Sequence, residues 1–319
     1  MSRIVVTRHV PESALAILRE AGDVWLPHQD APLPAAELHT TVAGATAVVT
    51  MLHDRVDDAF LDAAGSQLRV VSNIAVGYDN VDVDACRRRG MVVTNTPGVL
   101  TDATADLAFA LILMVTRRLG EGERLVRRGI RWSWSLDFHL GTGIQGKTIG
   151  IVGLGQIGTA VARRARAFGM TVVYTGRRRA DTELERELDA AFMPLDELMA
   201  ASDVVSLHCP LTPGTHHLVD ARRLRLMRPT AFLVNTTRGP VVDEAALVEA
   251  LRGGVIAGAG LDVFEREPEV HPGLLELENV VLLPHLGSAT VETRTAMAEL
   301  AARNVAAVLR GEPPLTPVT

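Results

Sequence analysis

The stretch "TIGIVGLGQIGTAVARRARAFG", residues 148–169, decides how the chain is read. It opens on a short β-branched run and passes through Gly153, Gly155 and Gly158 in G-x-G-x-x-G spacing. It then continues in a helical pattern that places Ile157, Val161, Ala165 and Phe168 on one face. A lone glycine triplet is a weak signal, because glycine-rich turns are common. Here the preceding strand and following helix supply the context that a dinucleotide-binding loop requires. Gly153 permits the tight turn, Gly155 the approach of backbone to a pyrophosphate, and Gly158 close packing of helix on strand.

Working outward, "TVVYT", "DVVSLH", "AFLVN", "GAGLDV" and "NVVLL" follow as strand-like runs separated by helical patterns. With "TIGIV" they make six strands, the count of a complete dinucleotide-binding sheet. Upstream, strands are expected near 4–7, 23–25, 47–50, 69–74 and 91–94, with helical segments such as "ESALAILREAG" and "DACRRRG" between them. This alternation predicts the α/β class with parallel sheets. Between the two sets, "TDATADLAFALILMVTRRLG" has a Thr/Asp start, an apolar body, a basic last turn and a closing glycine, which predicts one long buried helix. The final helical stretch, "ETRTAMAELAARNVAAVLRG", is too short to be a domain and is expected to pack on the N-terminal unit. The expected organisation is therefore two doubly wound parallel-sheet domains. Residues 1–98 plus 287–319 form a flavodoxin-like substrate domain, and a six-stranded Rossmann NAD(P)-binding domain, 99–286, is inserted into it.

Composition narrows the function classes. At 319 residues there is room for two domains, and 47% apolar with only 4% aromatic residues suits an aliphatic α/β interior. A net charge of −6 leaves no whole-chain electrostatic footprint for nucleic acid or a membrane surface, so neither is an expected partner. Cys86 and Cys209 lie too far apart for a disulfide framework or metal spacing, which points to a reducing, cytoplasmic setting and no metal. "MSRIVVTRHV" reads as a strand rather than a signal peptide, and "ADLAFALILMV" is too short to span a bilayer.

One local feature runs against the acidic balance. In "VVYTGRRRAD", residues 172–181, the second strand of the nucleotide unit ends at Thr175 and is followed by Arg177, Arg178 and Arg179. At this point, about 20 residues beyond the glycine loop, an NAD enzyme offers Asp or Glu to the ribose 2′-hydroxyl. Thr175 carries no charge, and arginine's planar fork suits a 2′-phosphate that a carboxylate would repel. Arg177 and Arg178 therefore predict NADP(H) as the preferred cofactor, with NAD(H) the alternative. A solvated basic turn is the competing account.

Three further residues follow predicted strands: Arg238 in "NTTRGP", Glu267 in "LDVFEREP" and His285 in "PHLGSAT". In an open parallel sheet such carboxyl ends line the ligand crevice. Singly, Arg238 and Glu267 read equally well as a structural ion pair and His285 as a turn histidine. Together beside a nucleotide loop they suit hydride addition to a ketone. His285 would deliver a proton to the forming alkoxide, Glu267 would favour the imidazolium, and Arg238 would hold a carboxylate while polarising the neighbouring carbonyl.

The whole chain resembles the D-isomer-specific 2-hydroxyacid dehydrogenases, most of all their glyoxylate/hydroxypyruvate reductase branch. The segments that carry the resemblance are "VGYDNVDVDACRRRG", "NTPGVLTDATADLAFAL", "GKTIGIVGLGQIG", "VSLHCPLTPGTHHL", "NTTRGPVVDEAAL", "GAGLDVFEREP" and "PHLGSAT". It implies an Arg–Glu–His trio at Arg238, Glu267 and His285, and substrate carboxylate bound by the backbone amides of Val76 and Gly77. It also implies Asp262 on the nicotinamide side of the cofactor, with further cofactor contacts at Thr104, Leu154, Gln156, Ile157, Cys209, Pro210, Thr215, Thr236, His285 and Gly287. The implied activity is NADPH-dependent reduction of glyoxylate and hydroxypyruvate to D-2-hydroxy acids by a homodimer joined through its nucleotide domains. Met51 and Leu52 follow a predicted strand and are expected to face the substrate, with loop packing the alternative. Trp132 and Trp134 in "RWSWSLDFHLG" suit an exposed edge or interface, or else an active site. Two other readings stand beside this one: a reductase of bulkier 2-keto sugar acids, and a nucleotide-sensing, corepressor-like binding protein. The second is expected to add docking segments or disordered tails, and both ends here are short.

Overall fold

Runs such as "AVVT" and "VVSN" are apolar or small at every position, which suits strands buried on both faces of a parallel sheet. The computed structural model of the chain describes residues 2–318. It divides into two units, Met1–Leu100 with Ala289–Thr319, and Thr101–Ser288.

The first unit holds β1 (Arg3–Val6), β2 (Asp23–Trp25), β3 (Ala47–Thr50), β4 (Val70–Asn73) and β5 (Val92–Thr94), in the order β2-β1-β3-β4-β5. Every pairing is parallel, and this is the flavodoxin-like strand order. One face is covered by residues including Phe60, Leu61 and Cys86. The other is covered by Leu18 and by Ala298, Ala301 and Val305 of the helix Val291–Arg310. The last helix thus completes the core of the first sheet.

The second unit holds β6 (Thr148–Val152), β7 (Thr171–Thr175), β8 (Ala190–Phe192), β9 (Val204–Leu207), β10 (Phe232–Asn235), β11 (Gly258–Leu261) and β12 (Val280–Leu282). Their order is β12-β11-β10-β9-β6-β7-β8, again all parallel. The sheet therefore has seven strands rather than the expected six. The additional one, β8, is a three-residue edge strand with two exposed residues. Its "AAF" has neither alternation nor β-branched residues to announce it. Strand order reverses between β6 and β9, so the loops after these strands border the switch point where such sheets bind ligands.

Two other expectations are corrected. The helix expected over 101–120 is two helices, Thr101–Thr116 and Leu119–Arg127. Arg118 between them is left-handed at φ 54°, and its guanidinium donates to Glu121 at 3.0 and 2.7 Å and to the Leu140 carbonyl at 3.3 Å. Side-chain bonds hold a break that periodicity does not register. Phe168 leaves the buried face of its helix: it is the C-cap, 42% exposed, with its ring 4.6 Å from that of Phe109. The two compact units divide at 100/101 and 288/289. Buried Leu100 belongs to the first unit, and the helix beginning at Thr101 to the second.

Candidate functional site

The glycine loop joins β6 to the helix Gln156–Ala167. Gly153 has φ +100°, and a Cβ there would lie 2.8 Å from the His208 carbonyl carbon. Its N–H donates to Thr175 O at 2.9 Å, while His208 N donates to Val152 O at 2.8 Å. The loops after β6, β7 and β9 are thereby drawn together. A Cβ on Gly158 would stand 2.2 Å from Gly153 O, so helix and loop touch through backbone alone. Around Gly155, by contrast, nothing lies within 4 Å of a Cβ position. No side chain caps this helix at its N-terminus, so the N–H groups of its first turn, Gln156 and Ile157 among them, are left for an anion. Thr236 Oγ1 is buried and has no hydrogen-bond partner among the described residues. An open backbone cradle, an uncapped helix and an unpaired buried hydroxyl fit a dinucleotide.

The three arginines after β7 separate. Arg179 donates to Glu185 from Nε at 2.8 Å and from Nη2 at 2.9 Å. Glu185 also accepts from the Tyr174 hydroxyl at 2.6 Å, and that hydroxyl receives Ala180 N at 2.8 Å. The hydrogen bonds of Arg179 and Tyr174 hold the Glu185 carboxyl below the usual range. Arg179 is a local brace. Arg177 and Arg178 are exposed, and Asp181, the nearest following carboxylate, caps the next helix by accepting from Leu184 N at 2.7 Å.

At the β11 and β12 ends, His285 Nδ1 lies 2.8 Å from Glu267 Oε2, both side chains being about three-quarters buried. Phe264 N donates to the other Glu267 oxygen at 3.1 Å. Burial works to raise the Glu267 pKa. The hydrogen bond and charge of His285, the Phe264 amide and the charge of Arg238 outweigh it, and the carboxyl sits below its ordinary value. Arg238 follows β10, where Asn235 Nδ2 donates to its carbonyl at 2.9 Å and its own Nη1 donates to Thr237 O at 2.9 Å. A Cβ on the next residue, Gly239, would fall 1.9 Å from the Phe264 carbonyl carbon. The Arg238 turn is therefore pressed against the loop that carries Glu267.

Asp262 does something the sequence did not suggest. It has no exposed surface; its two carboxylate oxygens accept from Leu286 N at 2.6 Å and Gly287 N at 2.8 Å. Its carbonyl accepts from His285 N at 2.9 Å. His285 itself has φ 54°, a conformation uncommon for a residue with a side chain. Thr104 Oγ1 adds a bond to Gly287 O at 3.0 Å. Burial pushes the Asp262 carboxyl above the usual range, against the pull of the two amides and of His285.

Elsewhere in this unit, Thr215 Oγ1 donates to Pro210 O at 2.6 Å and accepts from Thr212 N at 2.8 Å, so it shapes its own loop. Burial pushes the Cys209 thiol up to about 11, which makes it inert as a thiolate. His208, beside Gly153, is held neutral by burial with its pKa down to about 4, and shares a 2.8 Å hydrogen bond with Ser206 Oγ. A second pair, His217 with Glu265, ties the loop after β9 to that after β11. Sequence reading passed over His208, His217 and Glu265, because nothing local marks their partners. Among the described residues no group of His, Cys, Asp and Glu is placed to hold a metal.

In the first unit, β4 leads into the Val76–Gly77 turn. Asn95 Nδ2 donates to Val76 O at 2.8 Å and Asn73 Nδ2 to Gly77 O at 3.1 Å. Both carbonyls of the turn are held by side-chain amides, while no acceptor among the described residues takes the Val76 or Gly77 N–H. Leu52, in the loop after β3, is 38% exposed.

The chain is similar to known proteins along most of its length. The profile of the D-isomer specific 2-hydroxyacid dehydrogenase NAD-binding domain matches residues 109–287. The chain is 50% identical to a glyoxylate reductase of Thermococcus onnurineus, over 98% of this chain and 95% of the relative. It is 49% identical to one from Pyrococcus furiosus, over 98% and 94%. Among solved structures, the NADPH-dependent glyoxylate/hydroxypyruvate reductase of Sinorhizobium meliloti in complex with NADP and malonate aligns with a TM-score of 0.88. It is 37% identical, with 100% of this chain and 97% of that one covered. A glyoxylate reductase from Paecilomyes thermophila aligns at 0.90 and 33% identity, covering 99% and 98%.

The Asp262 geometry makes a direct prediction. Asp262→Asn turns one acceptor into a donor facing a buried N–H, so unfolding free energy should fall by about 1–3 kcal/mol. Urea denaturation of the two proteins measures this, and an unchanged midpoint with unchanged slope would mean that other contacts hold the His285 loop.

Proposed function

The chain belongs to the D-isomer-specific 2-hydroxyacid dehydrogenase family and is an NAD(P)-dependent oxidoreductase acting on CH–OH groups; from that premise we propose that it reduces glyoxylate and hydroxypyruvate with NADPH, giving D-2-hydroxy acids. The observation that carries the reading is the 2.8 Å His285–Glu267 pair, with the charge of Arg238 bearing on the same carboxylate. When bound, the nicotinamide supplies a hydride. Glu267 accepts the Nδ1 proton of His285, which leaves Nε2 as the atom that passes a proton to the substrate oxygen. The carboxylate beside the ring fixes its orientation toward the substrate oxygen. Within the second unit, Arg238 offers a carboxylate a planar fork and polarises an adjacent carbonyl; within the first, the Val76 and Gly77 amides are donors of the kind that suits a carboxylate. The curated glyoxylate reductases at about half identity support small 2-oxo acids as the substrate class.

Cofactor choice rests on Arg177, Arg178 and the uncharged Thr175. Arg179 is occupied by Glu185, so the 2′-phosphate site consists of the first two arginines. The NADP complex of the Sinorhizobium enzyme supports this choice. We also assign the enzyme to the cytoplasm, given two free cysteines and no described helix long and apolar enough to cross a membrane.

A homodimer accounts for a further feature. The helix Leu119–Arg127 buries none of its residues, and Ile130, Trp132, Trp134, Leu136 and Leu140 beyond it are at least half exposed. Such a concentration of apolar surface marks an interaction site. Sedimentation should return about twice the chain mass of 34.2 kDa; a monomer at micromolar concentration would remove the dimer from the proposal.

Two kinetic experiments test the chemistry. Glu267→Gln should lower kcat in 2-oxo acid reduction by tenfold or more, since a neutral amide holds the Nδ1 proton and the ring orientation less firmly than the carboxylate at 2.8 Å. A kcat equal to that of the wild type would take Glu267 out of the reaction. Replacing Arg177 and Arg178 with Ala should raise KM for NADPH by tenfold or more, about 1.5–3 kcal/mol being lost per charge-assisted bond, and leave KM for NADH nearly unchanged. Equal efficiency with both cofactors in the parent enzyme would return these arginines to a solvated turn.

A further inference from the structure

We infer that Asn80 is a positioning residue that fixes the Leu52 loop and the Val76–Gly77 turn to one another, so that a single side-chain amide governs both substrate affinity and selectivity for the substrate substituent. The inference rests on the functional reading above only for what those two segments bind; their coupling is a matter of hydrogen bonds. Asn80 Nδ2 donates to Met51 O at 3.1 Å and Asp54 O at 2.8 Å, the two carbonyls that flank Leu52 and His53. Its Oδ1 accepts from Asn73 Nδ2 at 3.2 Å, and the same Asn73 nitrogen donates to Gly77 O at 3.1 Å. The amide hydrogens of the two asparagines thus all have acceptors: Met51, Asp54, Gly77 and Asn80 itself. Thr50 Oγ1 donates to Asn73 Oδ1 at 3.0 Å and completes the pair.

The surrounding bonds leave little slack. Val56 N donates to Asn80 O at 2.9 Å, so the backbone of Asn80 is also paired with the chain leaving the Leu52 loop. Asp54 is 2% exposed, and its carboxylate accepts from Met51 N at 2.8 Å and from the Thr7 hydroxyl. The loop is held from below by Asp54 and from the side by Asn80. Only the Asn80 contact continues, through Asn73, to the turn whose N–H groups are without acceptors among the described residues. Neither carbonyl bond can be replaced by a carboxylate, which has no hydrogen to donate.

Asn80→Asp keeps the shape and removes both donors, and it is compared with the parent enzyme in two ways. Hydrogen exchange on the unliganded protein should speed up about tenfold in the segments spanning 50–55 and 74–79, with the helix Val291–Arg310 unchanged. With NADPH, KM for glyoxylate should rise about tenfold while kcat stays within about twofold, and the preference between glyoxylate and hydroxypyruvate should change. In a cycle with Leu52→Ala the effects on hydroxypyruvate should be non-additive, since the two residues act on one loop. Asn80→Ser, which retains one donor, should recover part of the KM. The inference is overturned by unchanged exchange in the two segments, by additive effects, or by faster exchange throughout the first unit, which would mark a merely structural residue. If the parent enzyme reduces no 2-oxo acid, the functional reading fails, and exchange alone still decides whether Asn80 couples the two segments.

Discussion

The placement of His285 is referred to one buried carboxylate. Asp262 leaves β11 with no exposed surface and holds the chain after β12 by three backbone bonds, at His285, Leu286 and Gly287. A charged group in such a position is costly unless its oxygens are occupied, and here both are. The outcome is a histidine in a left-handed conformation, presented to Glu267 at 2.8 Å. The imidazole's placement is therefore set by backbone geometry at the strand end, and its partner adds charge to a position already determined.

The glycine loop depends on contact of a different kind. Gly158 lies against Gly153 O because it carries no side chain, Gly153 turns against the His208 carbonyl for the same reason, and Gly155 stays open. Steric exclusion at two positions and vacancy at a third give a tight turn with backbone open to an anion. Around it the chain's acidic balance is reversed locally. Arg179 is neutralised by Glu185, and the residues before it keep their charge at the surface. A basic surface beside the loop can thus be built from few groups after one strand end.

How far this was legible in sequence depends on the range of the interactions. Apolar or β-branched runs declared eleven of the twelve strands among the described residues, most directly where a strand is buried throughout, as β3 and β4 are. β8 was hidden because an exposed edge strand of three residues imposes none. That Arg238, Glu267 and His285 lie beyond strand ends at one sheet edge could be read because each follows a strand of a parallel sheet. Asp262 was read as a cofactor neighbour; its bonds to Leu286 and Gly287 span more than twenty residues and leave no periodic trace. The same holds for Asn73, Asn80 and Asp54, polar residues in loops whose partners only the fold supplies. The break at Arg118 shows the converse, where strong helical periodicity gave way to side-chain bonds with Glu121 and Leu140.

The helix Val291–Arg310 has a consequence for biosynthesis. During translation the strands of the first sheet emerge with Ile4, Val6, Val49 and Val70 lacking the apolar cover that Ala298, Ala301 and Val305 provide. That cover leaves the ribosome about 200 residues later, which at 5–20 residues per second is a delay on the order of ten seconds or more. The inserted unit, Thr101–Ser288, has its whole core in one continuous segment and can close during that interval. The nascent chain is thus exposed to aggregation mainly through its oldest residues, and the order of maturation runs opposite to the order of synthesis.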